Sequence, residues 1–251
     1  MTEVLLTAIG VGGATVIGAV IGFLFKDISH KFSDIVLSLA AGIMLSAAVF
    51  GLIIPSLDYE SDFAILITVA GIVAGAICMK LVDILVPHLH KMSGADIEEH
   101  GRNKSLDKIL LFVLAIAIHN FPEGIAAGVG FGADNPSEGY LIALGIALQN
   151  IPEGMVIIAP MLATGMKPRK TFLIAALTGA VEVLGTFIGY FAVYFAEFIL
   201  PFALSFAGGT MLYVISDEMI PETHSHGAES GATFALIVGF CIMLVLDFVL
   251  A

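Results

Sequence analysis

Eight apolar runs, each about as long as a bilayer core is thick, leave this chain few folds to choose from. They occupy residues 3–25, 33–57, 63–87, 108–132, 139–164, 170–195, 201–220 and 231–250. In helical form, about 20 apolar residues cover the roughly 30 Å of hydrocarbon. Inside lipid every backbone N–H and C=O must be paired within the protein, which restricts spanning segments to helices and closed barrels. Barrel strands alternate over about ten residues; these runs are longer and do not alternate, so helices are expected. With 59% apolar and 13% charged residues, there is too little polar surface for a water-soluble domain. The expectation is an all-α polytopic membrane protein, residues 1–251 forming a single transmembrane domain. The opening MTEVLLTAIG has no basic leader and reads as a retained first span.

The connections set an orientation. Lys26, Lys31, Lys91, Arg102, Lys104, Lys108, Lys167, Arg169 and Lys170 all fall in or beside the first, third and fifth connections. The opposite side carries no Lys or Arg, so the positive-inside rule places both termini outside the cytoplasm. The outer connections are acidic, with Asp58, Glu60, Asp62, Asp134, Glu138 and Glu197, a pattern that fits either a solvated face or one that concentrates cations. Residues 91–107 have no apolar periodicity and read as a cytoplasmic loop. Nucleic acid is not an expected partner, because no basic stripe exists. Cys78 and Cys241 lie in apolar runs and suggest no disulfide framework.

A polar sextet interrupts the fourth and fifth runs. His119-Asn120-Phe121-Pro122-Glu123-Gly124 is followed, 30 residues later, by Gln149-Asn150-Ile151-Pro152-Glu153-Gly154. Helical positions i, i+1 and i+4 share one broad face, so His119, Asn120 and Glu123 can converge, as can Gln149, Asn150 and Glu153. Pro122 and Pro152 lack an N–H and crowd the carbonyls of Ile118 and Leu148, predicting a kink beside each cluster. Gly124 and Gly154 admit a neighbouring helix, as do the pairs Gly18/Gly22, Gly71/Gly75 and Gly185/Gly189.

Glu182, in the sixth run, is a third intramembrane acid. Each acid at a helix centre costs about 2.5–3.5 kcal/mol, so packing alone does not account for three. A shared cation offsets that cost. Imidazole, carboxylate and amide donors suit Zn²⁺, Fe²⁺ or Mn²⁺ and not thiolate-seeking Cu(I). A purely structural histidine and a metal-free proton relay remain open alternatives.

These residues resemble the ZIP (Zrt/Irt-like) family of divalent-metal transporters, in particular its prokaryotic GufA-like branch. The resemblance spans the chain: eight runs, HNFPEG, QNIPEG, and SDEMIPETH at the end of the seventh. It implies a two-metal site between spans four, five and six, with a kinked helix 4/helix 5 pair at its core. It also implies that spans two, four, five and seven move against one, three, six and eight. Carried over by position, His119, Glu123, Glu153 and Met44 hold the first metal. Asn120, Glu123, Asn150, Glu153 and Glu182 form the second site, with Gln149 beside either. Many family members have His at the Gln149 position and an acid at Asn150, so two neutral amides leave this second position less negative. Asp58 is implied as an entrance residue. His88, His90, Asp217, Glu218, Glu222, His224 and His226 are candidates to receive the ion at the cytoplasmic exit, with the surface histidines also readable as plain solvated residues.

The expected function is therefore transport of zinc, with iron, manganese, cobalt and cadmium also compatible, toward the cytoplasm of a cell with this protein in its plasma or inner membrane. No cofactor is expected, and no phosphate-cradling Gly-rich loop points to ATP; the lipid bilayer, the metal and a second copy are the partners to consider. Two rivals belong to other classes. An intramembrane metalloenzyme lacks a His-Glu-x-x-His helix and a spare general base. A coupled carrier of an organic solute would call for an Arg or aromatic cluster in the spans, and none is visible.

Overall fold

The computed structural model describes residues 1–24, 29–59, 62–85, 117–132, 136–225, 227 and 229–250. The candidate exit residues His88, His90 and His226, and the connection 91–107, lie outside them. The described residues are predominantly helical, with no strand among them. α1 is Thr2–Leu24, α2 His30–Leu57, and α3 Ala64–Leu85. α4 is helical over 117–129. α5 is Pro136–Val156, continued past an interruption at Ile157 by Ile158–Ala163. α6 is Pro168–Phe195, α7 Leu200–Thr223 and α8 Glu229–Leu250. Among the described residues, seven helices are long and apolar enough to cross a membrane.

The chain is turned inside out relative to a water-soluble fold. Leu6, Ile65, Leu177, Phe198 and Phe248 are exposed, whereas Asn120, Glu123, Gln149, Asn150 and Glu182 are buried. Lipid is the solvent for the first group, so their exposure costs nothing and burial of apolar surface drives little of the packing. Close approach of backbones has to supply it instead. Each of four helices meets a partner at glycines: α1 and α5 at Gly18, Gly22 and Gly154; α2 and α8 at Gly42 and Gly239; α3 and α7 at Gly71, Gly75 and Gly209; α4 and α6 at Gly124, Gly128, Gly185 and Gly189. A β-carbon at Gly128 would collide with the Thr186 carbonyl, which is backbone and cannot swing aside. Gly128→Ala should therefore destabilise the folded protein by about 1–3 kcal/mol, read as a lower unfolding temperature in detergent. Gly10→Ala, where nothing lies within 4 Å, should leave that temperature unchanged.

Prolines act differently in the two halves of the bundle. Helix continues through Pro122 over 117–129, and through Pro152 to Val156. The interruption in α5 comes one turn after Pro152, at Ile157, whose N–H reaches the Glu153 carbonyl at 3.4 Å. The larger departures are in α2 and α7, which widen into π-helix at Ala47–Ile53 and Ile215–Met219. Each widened turn stops one residue short of an Ile-Pro pair, Ile54-Pro55 and Ile220-Pro221. The amides of Ile54 and Ile220 bond five residues back, to Val49 and Ile215. The extra residue takes up the hydrogen bond and the space that proline denies an α-helix. α2, α5 and α7 pack together through Met44, Leu52, Ile146, Leu204, Met211 and Ile215, which puts both widened turns beside the sextets.

Candidate metal centre

Four side chains from the sextets are withdrawn from solvent almost completely. Asn120, Glu123, Gln149 and Asn150 are each 2% exposed or less, and Glu182 of α6 is fully buried. The α4–α6 glycine seam brings this about: Gly124 lies against the Glu182 carbonyl and Gly185 against that of Phe121. A helical face carrying Asn120 and Glu123 is thus pressed onto the turn that carries Glu182.

The Glu182 carboxylate is held by donors from three helices. Thr15 Oγ1 of α1 donates to Oε1 at 2.7 Å and Asn120 Nδ2 to the same oxygen at 2.5 Å. Asn150 Nδ2 donates to Oε2 at 2.6 Å. Hydrogen bonds to a charged group are worth about 1.5–3 kcal/mol each, enough together to offset an acid's cost of about 3 kcal/mol at a helix centre. Asn150 Nδ2 also donates to the Val11 carbonyl at 3.2 Å.

Around this tripod lie buried polar atoms with no hydrogen-bond partner among the described residues: Asn120 Oδ1, Asn150 Oδ1, Glu123 Oε2 and both polar atoms of Gln149. The Gln149 amide approaches the Glu123 carboxylate without reaching hydrogen-bond geometry. Glu123 lies within electrostatic reach of Glu153 and Glu182, and Glu153, half-buried, within reach of His119. A buried polar atom left unpaired costs about 1–3 kcal/mol. Oxygens stranded beside clustered carboxylates are what a cation would satisfy. Among the described residues no three His, Cys, Asp or Glu side chains stand together as a ready metal cluster; amide oxygens are the other candidate donors here.

The histidine is paired from a direction that the spacing of the sextets does not reveal. His119 Nε2 lies 2.8 Å from both carboxylate oxygens of Glu218, each side chain being 16% exposed. Glu218 sits in the widened turn Ile215–Met219 of α7. Besides its reading as an exit residue, it faces the first sextet through this contact with His119.

The remaining candidates are dispersed. Met44 is buried in the apolar cluster shared by α2, α5 and α7. Asp58 is exposed at the C-terminal end of α2, its N–H bonded to the Pro55 carbonyl at 3.3 Å. Asp217 and Glu222 are exposed near the end of α7. His224 has both ring nitrogens engaged: Nδ1 lies 2.9 Å from the Ile220 carbonyl, and Nε2 3.0 Å from Thr233 Oγ1 of α8. In this arrangement it closes the α7–α8 corner. Thr15 is the contributor that sequence patterns missed; a threonine in a Gly-rich apolar helix carries no chemical signal of its own.

Comparison with known proteins agrees with this picture. A family model described as ZIP Zinc transporter matches residues 87–247. The chain is 40% identical over 242 residues to the zinc transporter GufA of Myxococcus xanthus, with 94% of each chain covered. It is 35% identical over 250 residues to the zinc transporter ZIPB of Bordetella bronchiseptica, covering 93% of this chain and 77% of that one. It is 36% identical over 248 residues to the zinc transporter ZupT of Chlorobaculum parvum, covering 93% and 92%.

Proposed function

The chain belongs to the ZIP zinc transporter family, a family of transporters and not of enzymes, and on that premise we propose that it moves divalent metal, zinc first, from the outer face to the cytoplasm by alternating access. The observation that carries the proposal is the set of buried, unpartnered oxygens on Asn120, Asn150, Glu123 and Gln149, with Glu153 within electrostatic reach of Glu123 and His119 within reach of Glu153. Those groups supply nitrogen and oxygen donors of the type zinc accepts. Direction follows from the basic connections on one side and from energy: an inward divalent ion gains roughly 4.6 kcal/mol per 100 mV of inside-negative potential.

In this reading the ion enters past the acidic outer ends, including Asp58, and settles against Glu123 and Glu153. His119 leaves Glu218 to offer Nε2 to the metal. Glu218, just over one turn from the inner end of α7, then stands as the next carboxylate on the way out. Access alternates as α2, α4, α5 and α7 shift against α8, α6, α1 and α3 along the four glycine seams.

Uptake into proteoliposomes tests this. With an inside-negative potential imposed, zinc should accumulate well above protein-free vesicles, and abolishing the potential should slow it. Flux no greater than in empty vesicles would falsify the proposal. Because the ligands must shed protons to bind metal, uptake should also rise as external pH is raised from about 5.5 to 7.5, across the range where histidine titrates. A flat profile would remove the proton competition from the mechanism.

A further inference from the structure

We infer that Glu182 is a positioning residue and not a ligand of the transported ion: with Thr15 as its anchor, it turns the amides of Asn120 and Asn150 so that their oxygens face the ion, and the chain holds one divalent ion at a time, not two. This rests on the transport reading above and revises the two-metal arrangement that the family resemblance implies.

The hydrogen bonds set the orientation of the amides. An amide has one accepting and one donating end. Asn120 Nδ2 donates to Glu182 Oε1 at 2.5 Å and Asn150 Nδ2 to Oε2 at 2.6 Å. For Asn150 the choice is fixed independently, because the same nitrogen also meets the Val11 carbonyl, which can only accept. The carbonyl ends must then point away from Glu182, and these are the two amide oxygens that find no partner among the described residues. Glu182, by contrast, has donors on both of its oxygens. A metal could engage it directly only by displacing part of that tripod.

Thr15 reaches Glu182 because α1 and α6 touch at backbone level. Gly12 lies against the Gly179 carbonyl, and Thr15 itself packs against Gly154 and Gly179. Gly12 and Thr15 on α1 have the same three-residue spacing as Gly179 and Glu182 on α6: one pair makes the contact and the other uses it. Thr15 is 1% exposed, so no water competes for its hydroxyl.

Charge supports a single ion. Glu123 and Glu153 balance one divalent cation. A second would bring two further positive charges against Glu182 alone at the buried centre, since Asn120, Gln149 and Asn150 are neutral and Glu218, which pairs with His119 before the ion binds, stands at the more exposed edge.

The test is metal binding to the full chain purified in detergent. Zinc-saturated protein, freed of excess ion, should carry one zinc per chain by elemental mass spectrometry; two per chain would overturn the inference while leaving transport intact. None would overturn it together with the transport reading. Thr15→Val, nearly the same shape but with no hydroxyl, should still bind one zinc, about tenfold more weakly, with its unfolding temperature close to wild type. Thr15→Ser should restore affinity to within about threefold. Wild-type affinity in Thr15→Val, or failure of Thr15→Ser to rescue, would refute the positioning role. Glu182→Gln should weaken binding by about tenfold and leave residual transport, because its own amide forces one of the asparagines to turn. Complete loss of zinc binding in a folded Glu182→Gln protein would make Glu182 a ligand after all.

Discussion

Glu123→Ala will reduce zinc uptake in reconstituted vesicles by about 10²–10³-fold. Glu123 is 1% exposed and lies between Glu153 and Glu182 in electrostatic terms. In the proposed site it cancels, together with Glu153, the two charges of the ion, so removing it would leave one positive charge unbalanced in a region that water hardly reaches. Breaking a buried charge pair by deleting one partner costs about 3–5 kcal/mol, and each 1.36 kcal/mol is a factor of ten in rate. Packing offers no comparable explanation, because the neighbouring Gly124 already allows α4 and α6 to touch and a smaller side chain at 123 does not push them apart. Glu123→Gln separates charge from shape: the amide fits the same space, so its flux should be nearly as low as that of Glu123→Ala. Wild-type flux in either variant, with the protein folded, removes Glu123 from the ion's path and with it the proposed site.

What could be read from the sequence, and what could not, follows from where the physical signal was local. Helical spans are written in composition and length, since lipid leaves the backbone no alternative, and the all-α membrane fold was legible on that ground. Ionisable residues in apolar runs are costly enough to stand out, which is why His119, Glu123, Glu153 and Glu182 are legible from their place inside those runs. Their partners were harder. Glu218 reads as an exit candidate near the inner end of its run, and its contact with His119 is made between two helices. Thr15 sits 167 residues from Glu182 in sequence, and only the meeting of Gly12 with Gly179 brings the two together. His224 reads as an exit ligand or a solvated imidazole, and nothing in its own run shows the contact of its second nitrogen with Thr233. In each case the deciding contact was between helices, and a helix's own pattern does not specify its rotation about a neighbour.

The pairing of His119 with Glu218 makes a second large prediction, of a different kind from the first. Nε2 lies 2.8 Å from both carboxylate oxygens, so metal and Glu218 compete for the same nitrogen. Hydrogen bonds to a charged group are worth about 1.5–3 kcal/mol. Glu218→Ala removes that competitor, so His119 is free for the ion and the apparent KM for zinc should fall by about tenfold, since 1.4 kcal/mol is a factor of ten. The same change takes away the carboxylate that would accept the ion on the cytoplasmic side, so maximal uptake should fall by about tenfold as well. Tighter binding with slower turnover is the signature of a residue that acts on release. A ligand of the bound ion behaves otherwise, raising KM when it is lost. Initial rates over a range of zinc concentrations in vesicles separate the two: a raised KM would make Glu218 part of the binding site proper, and unchanged KM and maximal rate would reduce its contact with His119 to a packing feature of the widened turn.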